Sequence, residues 1–170
     1  MKTLSAIAII LALLPAISQA QFGRGLRELT LSGSGTSSKE FDTGTMSATG
    51  ELGWYYSPKV EIGLRQSLSW NKSKSVRSNW NGASRLYSDY HFGDGQWRPY
   101  AGASLGVAYG DRVDTTLFAG PEAGLKFYVQ PAAFLFVQME YQFYFKGTSE
   151  LRSSISDGAY AYSFGAGYNF

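Results

Sequence analysis

Cysteine is absent from the 170 residues, which excludes a disulfide framework and any thiol chemistry. The single histidine, His91, rules out a multi-histidine metal centre and leaves a Ser-His-acid triad only that residue to use. Charged residues make up just 16% of the chain and sum to +2. One of the basic residues is Lys2, so the remainder is close to neutral and lacks the concentrated basic face of a nucleic-acid binder. No apolar run is long enough to cross a bilayer as a helix. Helical periodicity is equally hard to find.

What is present begins with a three-part N-terminus. Lys2 gives a short positive region, Ala6 to Leu14 (AIAIILALL) an apolar core, and Pro15 a break. Ser18-Gln19-Ala20 then places small residues at the −3 and −1 positions of an export cleavage site. Residues 1–20 are therefore expected to be a signal peptide, and residues 21–170 one domain. An exported chain without cysteine needs another source of stability, such as a closed hydrogen-bonded sheet.

Period-two alternation runs through that domain. Met46, Ala48, Gly50, Leu52, Trp54 and Tyr56 share one face, opposite Ser47, Thr49, Glu51, Gly53 and Tyr55. Val60, Ile62, Leu64, Leu68 and Trp70 repeat the pattern, with Gln66 as the exception. Further alternating runs start near Arg85, Tyr100, Ala119, Phe134 and Tyr160, and a less clear one covers Gly25 to Gly33. Eight strands are expected. Pro121 falls within one of them, where it removes a ladder donor and predicts a bulge or local defect. The connections at 57–59, 93–98 and 130–133 are short; those at 34–43, 71–84, 110–115 and 146–157 form the other set. Short turns at one end and longer loops at the other match an up-and-down transmembrane barrel, with both termini at the short-turn end.

One face of nearly every strand is apolar and aromatic, and the other is rich in Gly, Ser, Ala and Thr with charges between them. Eight strands enclose little space, so the small-residue face fits the interior and the bulky face fits lipid. Aromatics also gather near both strand ends, as interfacial belts do.

The last strand, AYAYSFGAGYNF, and the stretch GPEAGLKFYVQPAAFLFVQMEYQFYF at 120–145 resemble the OmpA/OmpX-like small outer-membrane β-barrel superfamily over essentially residues 22–170. The resemblance implies an eight-stranded antiparallel barrel in the bacterial outer membrane, surrounded by lipid and lipopolysaccharide. It also implies that Tyr168 and Phe170 belong to the signal read by the outer-membrane insertion machinery. Members are variously structural, adhesive, host-interacting or enzymatic, so fold follows from the likeness more readily than function. Lipid A deacylases among such barrels carry a His-x-Ser motif with a glutamate. Here the matching residues read His91-Phe92-Gly93, without the serine.

The polar face carries Glu51, Glu61, Arg65, Arg85, Asp89, His91, Glu122, Lys126 and Glu140, with Gln138 and Gln142. Buried charges need partners, so this set reads as a network that plugs the lumen. Arg65 is expected beside Glu51 or Glu61, and Lys126 beside Glu122 or Glu140. The segment 71–84 holds Lys72, Lys74, Arg77 and Trp80 without an acid, and such a loop could attract anionic surfaces. No cofactor is implied. The expected function is an integral, monomeric, non-enzymatic envelope barrel with a structural or surface-interaction role. A lipid A-modifying enzyme and a soluble periplasmic lipocalin-type carrier are the alternatives.

Overall fold

The computed structural model describes residues 23–37, 44–72, 78–111, 113–145 and 158–170, with the backbone alone at 35–37, 113 and 114. The expected signal peptide and the basic residues Lys74 and Arg77 lie outside the described residues. Eight strands follow in order: β1 Arg27–Ser37, β2 Gly44–Ser57, β3 Val60–Lys72, β4 Asn79–His91, β5 Trp97–Gly110, β6 Val113–Tyr128, β7 Ala133–Phe145 and β8 Ala159–Asn169. Every neighbouring pair is antiparallel, and β8 returns to β1 to close the barrel. Closure is what lets a fold with strongly alternating strands dispense with a second layer, since every strand has a neighbour on both sides.

The alternation sorts the side chains as the sequence implies. Leu29, Leu52, Leu64, Leu86 and Leu105 stand in register across β1 to β5 and form a continuous outward row. Four of the five are more than 40% exposed. Below this row, toward the short turns, lie exposed Trp54, Tyr56, Tyr90, Phe92, Trp97 and Phe170. Above it lie Trp70, Trp80, Tyr160 and Tyr162. Neighbouring rings within these belts touch, as in Trp97–Phe127 at 4.4 Å and Tyr141–Tyr160 at 4.7 Å between centroids. The polar exception, Gln66, faces outward but is not isolated. Its side-chain amide donates to the Tyr109 hydroxyl at 2.9 Å and accepts from Ser84 at 2.6 Å.

Several strand ends reach further than the sequence suggests. β3 runs to Lys72 and β4 starts at Asn79, so Trp80 is a strand residue paired with Trp70 rather than part of a loop. β5 begins at Trp97, which brings Arg98 inside the barrel instead of leaving it in a turn. The turn before it depends on Gly93, whose φ of 90° suits glycine. Pro121 makes no bulge: Ala119 pairs with Phe143 and Glu122 with Glu140 in one register, and only the two positions between them drop out of the β6–β7 ladder. A missing donor therefore costs local bonds without shifting the strand.

Candidate functional site

From the Arg65 layer down to the short turns the lumen is filled with side chains. Its glycines are not empty space but sockets for rings that the small-residue reading of this face did not anticipate. Tyr87 lies over Gly63, Tyr100 over Gly124, and Phe134 over Gly167; a Cβ at any of the three would collide with the ring. Tyr55, Phe118, Tyr128 and Phe136 are also inward and buried. Small residues on one strand thus accommodate large ones on the next, which is how a narrow barrel reaches close packing.

Register places like charges side by side. Arg65 stands opposite Arg85, Glu61 opposite Asp89, Glu122 opposite Glu140, and Arg98 opposite Lys126. Directly opposed like charges destabilise a ladder. The relief comes from across the barrel. Lys126 on β6 donates to Glu28 of β1 at 2.6 Å and to Glu61 of β3 at 2.8 Å. Its expected partners, Glu122 and Glu140, are instead bound by arginine. Arg65 reaches Glu122 across the lumen at 2.8 Å and its cross-strand neighbour Glu51 at 2.9 Å. Arg85 lies 3.7 Å from Glu140, which also accepts from the Ser104 hydroxyl. Burial to this degree demands such pairing, because an uncompensated ion inside the barrel would be severely destabilising.

Two layers result. On the loop side Arg65, Arg85, Glu51, Glu122, Gln138 and Glu140 interlock, and Gln138 links the layers by accepting from Tyr100 at 2.9 Å. On the turn side Lys126 is ringed by Glu28, Glu61 and Tyr55, with its ammonium 5.2–5.7 Å from the ring centres of Tyr55, Tyr100 and Phe134. His91 sits in this lower layer with no exposed surface, 3.4 Å from the Tyr55 hydroxyl and 3.5 Å from a Glu61 oxygen. Asp89 also faces the interior, where the remaining cavity between the layers is about 10 Å³, room for roughly one water.

All nine charged or titratable lumen residues named from sequence point into the barrel, eight of them buried and Arg85 partly so. Other members were missed, among them Tyr87, Tyr100 and Ser104, which donate to Glu61, Gln138 and Glu140. Glu28 lies on the strand whose facing was least clear, Arg98 was assigned to a turn, and Tyr55 was treated as an interior residue without a role. Alternation with Leu29 was the available signal for Glu28. Of the basic segment, Lys72 is exposed at the end of β3 and Trp80 belongs to the upper aromatic belt. Tyr168 and Phe170 end β8 beside β1, where Arg27 and Phe170 exchange both backbone bonds. Among the described residues, no group of three or more His, Cys, Asp or Glu side chains is arranged to hold a metal ion.

No family model matches the sequence, and no curated protein matches it. Solved structures do. The N-terminal β-barrel domain of Pseudomonas aeruginosa OprF aligns at 20% identity, covering 87% of this chain and 98% of that one, with a TM-score of 0.58. Neisserial surface protein A aligns at 15% identity over 85% and 94%, with a TM-score of 0.54. The P. aeruginosa outer membrane protein OprG gives 12% identity over 88% and 98%, with a TM-score of 0.53. By fold, then, this chain is a small eight-stranded antiparallel β-barrel of the outer-membrane kind.

Proposed function

We propose that the chain is an integral protein of the bacterial outer membrane, monomeric and non-enzymatic, whose role is envelope structure or interaction at the cell surface. The observation that carries this reading is the outward leucine row flanked by aromatic belts. So much contiguous apolar surface is unusual on a soluble monomer and ordinary on a protein immersed in lipid. Strands of 11–16 residues meet or exceed the roughly 9–11 that cross a bilayer. Lipid and lipopolysaccharide are then the surroundings, and the strand ending in Tyr168 and Phe170 is the segment offered to the insertion machinery.

The packed lumen supports a role without bulk diffusion, and it counts against a soluble carrier, which would need a ligand cavity where the ion pairs stand. Against a lipid-modifying enzyme stands the burial of His91 at the short-turn end, among Tyr55, Tyr100 and Glu61. The test is membrane fractionation followed by gels of unheated and boiled samples. An outer-membrane fraction with a mobility change on boiling is expected. A soluble, unshifted protein overturns the reading. Lipid A from a deletion strain should have the parental mass spectrum, and an altered acylation pattern would establish an enzyme.

A further inference from the structure

The barrel closes unevenly. Arg27 and Phe170 exchange two backbone bonds of 2.9 and 2.8 Å, and the β1–β8 ladder continues only from Glu28–Asn169 to Ser32–Gly165. Both strands go on beyond that point. β1 stays paired with β2 as far as Ser37–Gly44, and β8 with β7 as far as Ala159–Gln142. Here the β1–β8 seam parts. Because backbone groups alternate in direction, the Arg27–Phe170 exchange sets which residues address the seam. On the open stretch these are Gly33 of β1 and Phe164, Tyr162 and Tyr160 of β8. Among the described residues, their amides and carbonyls take no part in the β1–β8 ladder there, and a bilayer supplies no water to replace a partner.

A cavity of about 370 Å³ occupies this opening. That is within the range of small-molecule pockets, about 300–1,000 Å³. Its walls divide by chemistry. Ser32, Ser34, Ser47, Thr49, Ser163 and Gln138 offer neutral polar groups, while Val137, Tyr162 and Phe164 form an apolar lip; among the described residues, no charged side chain lines it. The floor is closed, since the Gln138 side chain is held by Arg65, Tyr100 and Glu122 at 2.9–3.2 Å. The opening is therefore a cleft that ends on Gln138 and has Val137, Tyr162 and Phe164 on its lipid side.

We propose that this cleft binds a bilayer-resident amphiphile with an uncharged, hydrogen-bonding head group. Its hydroxyls meet the serines and the free strand edges, and its alkyl chain lies along Val137, Tyr162 and Phe164 in the lipid. A carboxylate or phosphate head would lose its hydration without gaining a cation. The inference rests on the membrane reading above.

The experiment uses the full chain in phospholipid vesicles with a photoreactive monoacylglycerol, its diazirine near the glycerol, and labelled residues located by mass spectrometry. Labelling concentrated on Ser32–Ser34 and Tyr162–Phe164 is expected. The S163W variant, which fills the cleft, should lower that labelling about tenfold, equivalent to roughly 1.4 kcal/mol. A photoreactive fatty acid of the same chain length should label the cleft far less. Even labelling around the perimeter, Leu64 and Leu105 included, overturns the site whether or not the variant folds. Undiminished labelling of a folded S163W overturns it too, and equal labelling by the fatty acid overturns the neutral head group. A protein that fails to float with vesicles refutes the membrane reading instead, so the two failures are distinguishable.

Discussion

Replacing Lys126 by methionine should be strongly destabilising. The ammonium is shared by two carboxylates at 2.6 and 2.8 Å, and the side chains of Lys126, Glu28 and Glu61 are 4%, 2% and 1% exposed. Methionine keeps the volume and removes the charge. Glu28 and Glu61 are then left facing each other without compensation. Breaking a buried pair by removing one partner costs about 3–5 kcal/mol. With a urea dependence of about 2 kcal/mol per molar, the unfolding midpoint of vesicle-refolded protein should fall by about 2 M. Tryptophan fluorescence and the heat-dependent gel shift can follow the transition. The triple variant K126M/E28Q/E61Q should recover most of the loss, because replacing all the charges removes the stranded ions as well. A midpoint change below about 0.5 M for K126M, or a triple variant no better than the single one, would show that Lys126 does not compensate the two acids.

Gly124→Val should lower stability by about 1–3 kcal/mol in the same assay, since its Cβ enters the space of the Tyr100 ring. Leu105→Arg, in the outward leucine row, should cost about 2–4 kcal/mol, whereas arginine at exposed Met46, on the same face near the loop end, should cost about 0–1; equal costs would contradict the lipid-facing assignment. Phe170→Ala should refold in detergent with stability within about 1 kcal/mol of the parent, because the ring is exposed and the Arg27 bonds are backbone bonds. In cells the same variant should accumulate unassembled, as shown by loss of the heat-modifiable band.

Strand number, facing and closure were legible because a barrel writes them locally. Period two along each strand and turn chemistry between strands carry that information, and Leu52, Leu64, Leu86 and Leu105 advertise the outer face without any knowledge of neighbours. The ion pairs that span the lumen were not legible. Lys126 meets Glu28 and Glu61 across the interior, and which residues meet there depends on the stagger of all eight strands rather than on any two. The expectation that it pairs with Glu122 or Glu140 relied on nearby strands, where the register in fact sets like charges together. Arg65 with Glu51 could be read because that pair is directly cross-strand. The inward rings escaped notice for a related reason: a glycine-rich face reads as small until the residue opposite each glycine is known.

The bridging of β6 to β1 and β3 has a mechanical consequence. β8 carries no charged side chain and is held by its two ladders, the shorter with only five registered pairs, together with an Asn169–Tyr128 bond of 2.9 Å. Drawn out of the bilayer by its C-terminus, the chain would yield β8 under modest force, then β7. The pull would then reach β6, where Lys126–Glu28, Lys126–Glu61 and Arg65–Glu122 must part together. Hydrogen-bond ladders alone would make the strands nearly equal in tensile strength; the crosswise ion pairs concentrate the load on β6, with a smaller share on β7 through Glu140.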